Sequence, residues 1–418
     1  MNTTRDLLKI GLVANLFEWY EFGIYGYLAG IVGQIFFSPG DSISSLIQGF
    51  AVFAIGYLAR LLGSIFFGFA GDWAGRGRAL KISLIMMAAP TVLIGFLPTY
   101  NTVGVLAPVL LLVLRLVQGF AMGGELPLNG CYVFEASPAH HRSVLCSMVM
   151  VSIALGMLLA SLVANLLFWY FDRETIVQWA WRLPFLLSIP LTFFIIAMRR
   201  AIHDFPVPST KLEGRSIATS CAVLKKPMLT AVSIMSFATV FGFVLTIWLP
   251  SYLNHFLNYP PRLAQLTNTL TLIALVVFKL ASGYMAHRLG YQRLVKIGLI
   301  MTILFIFPLW FRLQTLSFSH ALMTQLLMAL LAGSVSGILM EILASQFPSS
   351  GRSLGMNLAY TLPTVLLGST SPLILTLMIN KTGLLLFPAF YILFFGLLAL
   401  PGALSLSAKS PEFPAGRL

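Results

Sequence analysis

Apolar runs of about 20 residues or more follow one another along almost the whole chain, separated by short polar turns. A run of that length is what a helix needs to cross the hydrocarbon core of a bilayer. Backbone N–H and C=O groups in lipid must be satisfied inside the segment or in a closed barrel. Dyad alternation is weak, and Leu, Ala and Gly abound, which argues against an outer-membrane barrel. Only helices remain. Twelve spans are predicted, at 9–36, 43–70, 79–98, 103–132, 143–170, 182–199, 228–256, 264–287, 293–313, 319–346, 352–380 and 384–407. With 58% hydrophobic and 9% charged residues, the chain is unlike any soluble domain of its length. The expected fold is an all-α membrane protein, its twelve transmembrane helices arranged as two pseudo-symmetric six-helix bundles.

The one long polar connection lies near 200–227 and divides the chain into bundle 1–200, linker 201–227 and bundle 228–418. The net charge of +13 does not mark a nucleic-acid surface, because the basic residues sit in short loops between spans. With the N-terminus inside, eighteen of the 26 Lys and Arg fall on the cytoplasmic side and five on the other. Arg60, Arg115 and Lys279 stay within spans. Both termini are therefore expected in the cytoplasm. The first span is too long for a signal peptide and is expected to remain. The three cysteines lack metal-ligand spacing and read as packing residues.

The halves echo one another. Pro138 and Arg142 after span 4 correspond to Pro348 and Arg352 after span 10. Gly68, Asp72 and Gly75 after span 2 correspond to Gly283, His287 and Gly290 after span 8. A parallel repeat of this kind places a binding site between the halves near mid-membrane.

Charges inside spans are costly and mark function. Glu18 and Glu21 lie one helical turn apart in span 1, with Tyr25 extending their face. Two acids there point to proton or cation handling. Arg115 in span 4 is the expected partner of one of them and can hold a substrate carboxylate with two parallel hydrogen bonds. Gln118, Glu125 and Asn129 continue its stripe, with Glu125 as a second candidate proton site. Lys279 is the sole basic residue within the C-terminal spans; it faces either Glu341, as a structural pair, or the cavity. Tyr25, Trp248 and Tyr360 are candidate cavity aromatics. Arg60, Asp72, Arg76, Glu135, Arg142 and Arg352 are candidate latches for a gate.

Gly68-Phe-Ala-Gly-Asp72-Trp-Ala-Gly75-Arg76-Gly-Arg78 resembles the loop motif between helices 2 and 3 of the major facilitator superfamily. Asn15-Leu-Phe-Glu18-Trp19-Tyr20-Glu21-Phe22 resembles the first-helix signature of its metabolite–proton symporter family. Arg60-Leu-Leu-Gly63, Arg115-Leu-Val-Gln118-Gly119, Gly123-Gly124-Glu125 and Trp181-Arg182-Leu-Pro184-Phe185 add to the match. The chain departs from the family pattern at Glu21, usually Asp, and at Trp73, usually Arg. His287 replaces an acid in the second-half motif, and Thr361 follows Tyr360 where Asn is frequent.

The resemblance implies a monomeric carrier in the bacterial inner membrane. It would import a small carboxylate-bearing or zwitterionic metabolite with protons, by alternating access, with no cofactor beyond the coupling ion. An exporter or antiporter of drugs or metabolites, metal-chelating polycarboxylates included, is the alternative on the same fold. No phosphate-binding loop, nucleophile triad or zinc-binding helix occurs in the sequence, so neither an ATP motor nor an enzyme is expected.

Overall fold

The computed structural model describes residues 3–38, 40–73, 76–123, 125–138, 140–190, 193, 217–315, 317–348 and 352–406. Every regular element among them is helical. Among the described residues eight helices are long and apolar enough to cross a membrane, and Met86–Phe96 and Leu106–Ala121 are shorter apolar helices. The architecture is the expected one of twelve helices. Span 1 is Thr3–Tyr27 and, after a break at Leu28, Ala29–Phe36. Spans 2 and 3 are Ser42–Trp73 and Arg76–Phe96; span 4 is Leu106–Ala121 continued by Glu125–Ala136. Span 5 is Arg142–Tyr170, and span 6 starts at Leu183.

In the second half, span 7 runs from Ile217 to His255 through Ile217–Phe243, Val244–Trp248 and Leu249–His255. Spans 8 and 9 are Pro261–Leu289 and Tyr291–Leu313. Span 10 is Phe318–Ser336 plus Leu339–Ser345, and span 11 runs from Arg352 to Thr382. Span 12 is Phe387–Ser405. Residues 217–227, assigned above to the linker, are helical, with Pro227 inside the helix. The rest of the linker to 216 lies outside the described residues.

Small residues bring the spans together, as lipid-solvated helices require. Gly119 of span 4 packs on Gly56 of span 2 so closely that a Cβ would meet its carbonyl oxygen. Spans 4 and 10 break at matching places, after Ala121 and after Ser336, in keeping with the internal repeat. Val244–Trp248 and Thr364–Gly368 each form a widened π turn, a feature that often accompanies functional sites.

Spans 5 and 8 join the halves along their length. Gly283 abuts Ser147 at the end near the loop at 137–141. Further along, Gln265 Nε2 donates to Ser161 Oγ at 2.9 Å, and Arg262 Nε donates to the Phe168 carbonyl at 2.7 Å. On that second face Ser42 Oγ also lies 2.7 Å from His255 Nδ1, across the halves. The halves therefore meet on both faces, and the space between them is narrow.

Candidate functional site

Successive helical residues are about 100° apart, so Glu18 and Glu21 point in directions about 60° apart. That divergence sends them to different neighbours. Glu18 Oε1 lies 3.8 Å from Arg60 Nη2 of span 2, with both side chains buried. Glu21 turns to span 3, where the Thr91 hydroxyl donates to its Oε2 at 2.8 Å. Gln118 of span 4 in turn donates to the Thr91 oxygen. The two acids thus enter separate networks.

Arg115 is not within ion-pair distance of either glutamate, contrary to expectation. Its guanidinium carbon lies over the Tyr25 ring, 3.5 Å from the centroid, and 5.5 Å from that of Phe22. None of its nitrogens has a hydrogen-bond partner among the described residues. A planar, delocalised and weakly hydrated guanidinium suits this placement over an aromatic ring. The Tyr25 hydroxyl donates to the Gly49 carbonyl at 3.2 Å, so Tyr25 is anchored inside the N-terminal half.

Arg60, read from sequence as a candidate latch, contacts both halves. Beyond Glu18, its guanidinium carbon lies 5.7 Å from the ring centroid of Tyr360 in span 11. Tyr360 lines the cavity between the halves. Trp19, Phe243 and Lys279 line the same cavity, together with Met150, Met157 and Met235. Arg115, Tyr25, Gln118, Asn129 and Trp248 do not.

Trp248 belongs to the core of the C-terminal half. Its indole N–H donates to Thr376 Oγ1 at 2.9 Å, and its ring packs near Trp310 and Tyr252. A satisfied indole among aromatic neighbours is held by packing, which sequence spacing alone does not disclose.

Lys279 and Glu341 do not pair. Gly337 of span 10 packs against the backbone at Lys279, and Glu341, one turn further, faces span 5 instead. There it accepts from the Ser143 hydroxyl at 2.9 Å. The Lys279 ammonium crosses to the other half and donates to the Met150 carbonyl at 3.2 Å.

Near the loops at 137–141 and 346–351, Arg352 Nη1 donates to Glu135 Oε1 at 2.6 Å. Its Nε is shared between the carbonyls of Ala344 and Phe347. Arg142 and Arg352 lie 4.6 and 5.0 Å from the ring centroid of Phe134. Arg352 and Glu135 thus tie span 4 to the end of span 10 and the start of span 11, and Arg142 of span 5 meets span 4 at Phe134. Asn129 is half-buried on the second helix of span 4. The side chains of Asp72, Arg76 and Glu125 lie outside those described.

Sequence reasoning overlooked Thr91, Phe243 and the pair Ser143–Glu341. A hydroxyl among apolar residues carries little signal until a carboxylate is placed beside it. Arg60 did carry one: it is a charge as deep in span 2 as Arg115 is in span 4.

The sequence profile of the Major Facilitator Superfamily matches residues 11–365. The chain is 26% identical over 406 residues to the proline/betaine transporter of Escherichia coli K12, covering 93% of this chain and 80% of that one. It is 27% identical over 410 residues to the glycine betaine/proline/ectoine/pipecolic acid transporter OusA of Dickeya dadantii, covering 95% and 82%. To the ectoine/proline transporter ProP of Corynebacterium glutamicum it is 28% identical over 414 residues, covering 94% and 82%. Among solved structures, the proton:xylose symporter XylE bound to 6-bromo-6-deoxy-D-glucose superposes with a TM-score of 0.78. That pair is 16% identical and covers 96% of this chain and 94% of the other, a likeness of fold. The partially occluded inward-open form of XylE from E. coli gives 0.75 at 17% identity, covering 97% of each chain. Profile, relatives and fold agree with the resemblance carried by the helix 1 and loop motifs: this multi-pass membrane protein belongs to the major facilitator superfamily and is a transporter of small molecules, not an enzyme.

Proposed function

We propose that the protein is a proton-coupled importer of a small zwitterionic or carboxylate-bearing metabolite. It works by alternating access as a monomer in the bacterial inner membrane, with both termini in the cytoplasm. The observation that carries the coupling is the Glu18–Arg60 pair, buried beside Tyr360 on the cavity wall. Protonation of Glu18 removes the counter-charge of Arg60, which is then left with Tyr360 and whatever anion enters the cavity. Deprotonation restores the pair. Proton and substrate are thereby linked through one cation, and binding of either favours the other. Relatives that carry proline and betaine support a zwitterionic substrate. The latch Arg352–Glu135 and the bond Ser42–His255 lie on opposite faces, as two alternating gates require.

The test is uptake of radiolabelled proline and trimethylglycine into proteoliposomes holding an imposed pH gradient. Accumulation above the equilibrium level, abolished by a protonophore, is expected for at least one of them. Uptake indifferent to the gradient for both sinks the coupling, and gradient-driven expulsion alone favours the exporter. For orientation, Ser38→Cys and Ser209→Cys in a cysteine-free background are expected to label from outside and inside, respectively. Labelling of Ser209→Cys from outside intact cells overturns the topology.

A further inference from the structure

A second cavity, of about 300 Å³, opens on the face where Ser42 meets His255. It lies between the halves: Gln34, Ser42, Ser45 and Arg173 line it from the N-terminal half, and His255 ends span 7. Glycine supplies the rest of the lining, and Gly30 lets the imidazole come close. A Cβ there would stand 3.3 Å from His255 Nε2. Among the described residues the wall therefore carries a guanidinium, an imidazole, an amide and two hydroxyls, and no carboxylate.

Arg173 is a cation without a counter-ion. It forms no ion pair among the described residues, and its one hydrogen bond there runs from Nη2 to Gln34 Oε1 at 3.5 Å. Three acids flank the cavity in sequence, and each is engaged elsewhere. Asp41 holds the Ser44 hydroxyl and backbone N–H at the start of span 2. Asp172 accepts from the Thr175 backbone N–H at 3.3 Å, and Glu174 accepts from Gln178 Nε2 at 3.2 Å. On the C-terminal side, Arg262 is turned to the Phe168 carbonyl and the Tyr252 hydroxyl to the Leu385 carbonyl. Ser45 is 4% exposed, and its hydroxyl has no partner among the described residues.

A guanidinium fork matches the two oxygens of a carboxylate, and hydroxyl and amide groups can complete its shell. A zwitterion suits the cavity poorly, because no acid on the wall meets its cation. The Ser42 hydroxyl serves His255 in either charge state: it donates to a bare Nδ1 and accepts from a protonated one. Protonation thus keeps that hydrogen bond and frees the Ser42 proton to donate into the cavity. A second positive charge beside Arg173 is unfavourable alone and favourable with an anion between the two. Anion and proton therefore raise each other's affinity.

We propose that this cavity binds a small carboxylate-type monoanion together with a proton on His255. Bound there, the anion joins Arg173 of one half to His255 of the other and holds this face shut. The gate role rests on the reading that the protein works by alternating access with this face outside; the binding itself does not.

The test is NMR line broadening of isotope-labelled formate by the full-length protein in phosphatidylcholine nanodiscs, in chloride-free buffer at constant ionic strength. Formate is expected to bind at least about threefold tighter at about pH 5.5 than at about pH 7.5, on either side of the ordinary imidazole value of about 6.5. Arg173→Gln is expected to weaken it on the order of tenfold or more, and Arg173→Lys to recover only part, keeping the charge without the fork. His255→Gln is expected to abolish the pH dependence. Acetate is expected to displace formate, and proline to do so far less well. The gate is read with Thr246→Cys, on the wall of the central cavity, in an otherwise cysteine-free background. Formate at the lower pH is expected to slow its labelling by external maleimide severalfold, and Arg173→Gln to remove that slowing.

No saturable formate binding, unchanged binding in Arg173→Gln, or an unchanged pH dependence in His255→Gln overturns the proposal. Displacement by proline as effective as by acetate overturns the choice of a simple anion. Formate binding with unchanged labelling overturns the gate role. Arg173 is exposed, so its variants decide alone if His255→Gln fails to give monodisperse protein. The coupling fails separately: gradient-driven uptake without formate binding sinks only this site. Arg173-dependent formate binding with uptake indifferent to the gradient sinks only the coupling.

Discussion

Arg60 Nη2 stands 3.8 Å from Glu18 Oε1 in its own half, while the same guanidinium lies 5.7 Å from the Tyr360 ring centroid in the other. One buried cation therefore contacts a titratable acid and a wall of the cavity at once. Any change in the charge of Glu18 is felt across the interface between the halves. Glu21 has no comparable reach, since its partner Thr91 lies within the N-terminal half.

Glu18→Gln fixes span 1 in a neutral form of almost unchanged shape. It is expected to bind substrate and to exchange it across the membrane, because exchange moves no net proton. It is expected to lose accumulation against a gradient. Glu21→Gln is expected to keep accumulation. Full proton-driven accumulation by Glu18→Gln, measured in proteoliposomes, would falsify the coupling role.

Arg115→Lys keeps the charge but loses the guanidinium placed over Tyr25. The expected cost is about 0.5–2 kcal/mol of stability, seen as a lower melting temperature with substrate Kd unchanged. A weakened Kd at an unchanged melting temperature would return Arg115 to the substrate site, as its position in the sequence had led us to expect.

Gly283→Val places a side chain against Ser147, where spans 5 and 8 meet. The variant is expected to hold the halves apart on that face. Cys146, buried in span 5, reports the change. In a Cys131→Ser, Cys221→Ser background, maleimide labelling of Cys146 is expected to accelerate severalfold in Gly283→Val. Equal labelling rates would mean that this contact does not govern the gate.

Gly119→Val drives a side chain into the Gly56 carbonyl, a backbone group that cannot swing aside. Overpacking of this kind typically costs about 1–3 kcal/mol or more. The variant is expected to melt well below the unmodified protein. An unchanged melting temperature would show that spans 2 and 4 separate more freely than their packing implies.

The length of the apolar runs and the demand that lipid makes on the backbone were enough to predict a twelve-helix membrane fold. The echo of Pro138 and Arg142 in Pro348 and Arg352 announced the repeat, and the motifs around Glu18 and Asp72 announced the family. Those properties are local or periodic, and a sequence displays them directly. Charges inside spans were equally visible, because their desolvation makes each one conspicuous. Which charges meet was not. Glu18 and Glu21 share a face by spacing, yet a divergence of about 60° sends one to Arg60 and the other to Thr91. Trp248 and Trp19 look alike as indoles in apolar helices, but Thr376 satisfies the first within the C-terminal core, and the second faces the cavity. Pairing depends on the rotation and approach of helices set by distant contacts such as Gly56 with Gly119 and Gly337 with Lys279. The sequence by itself determined what had to be buried in this protein; only the tertiary structure decided which buried groups face one another, because helix rotation is settled by packing between spans and not within any one of them.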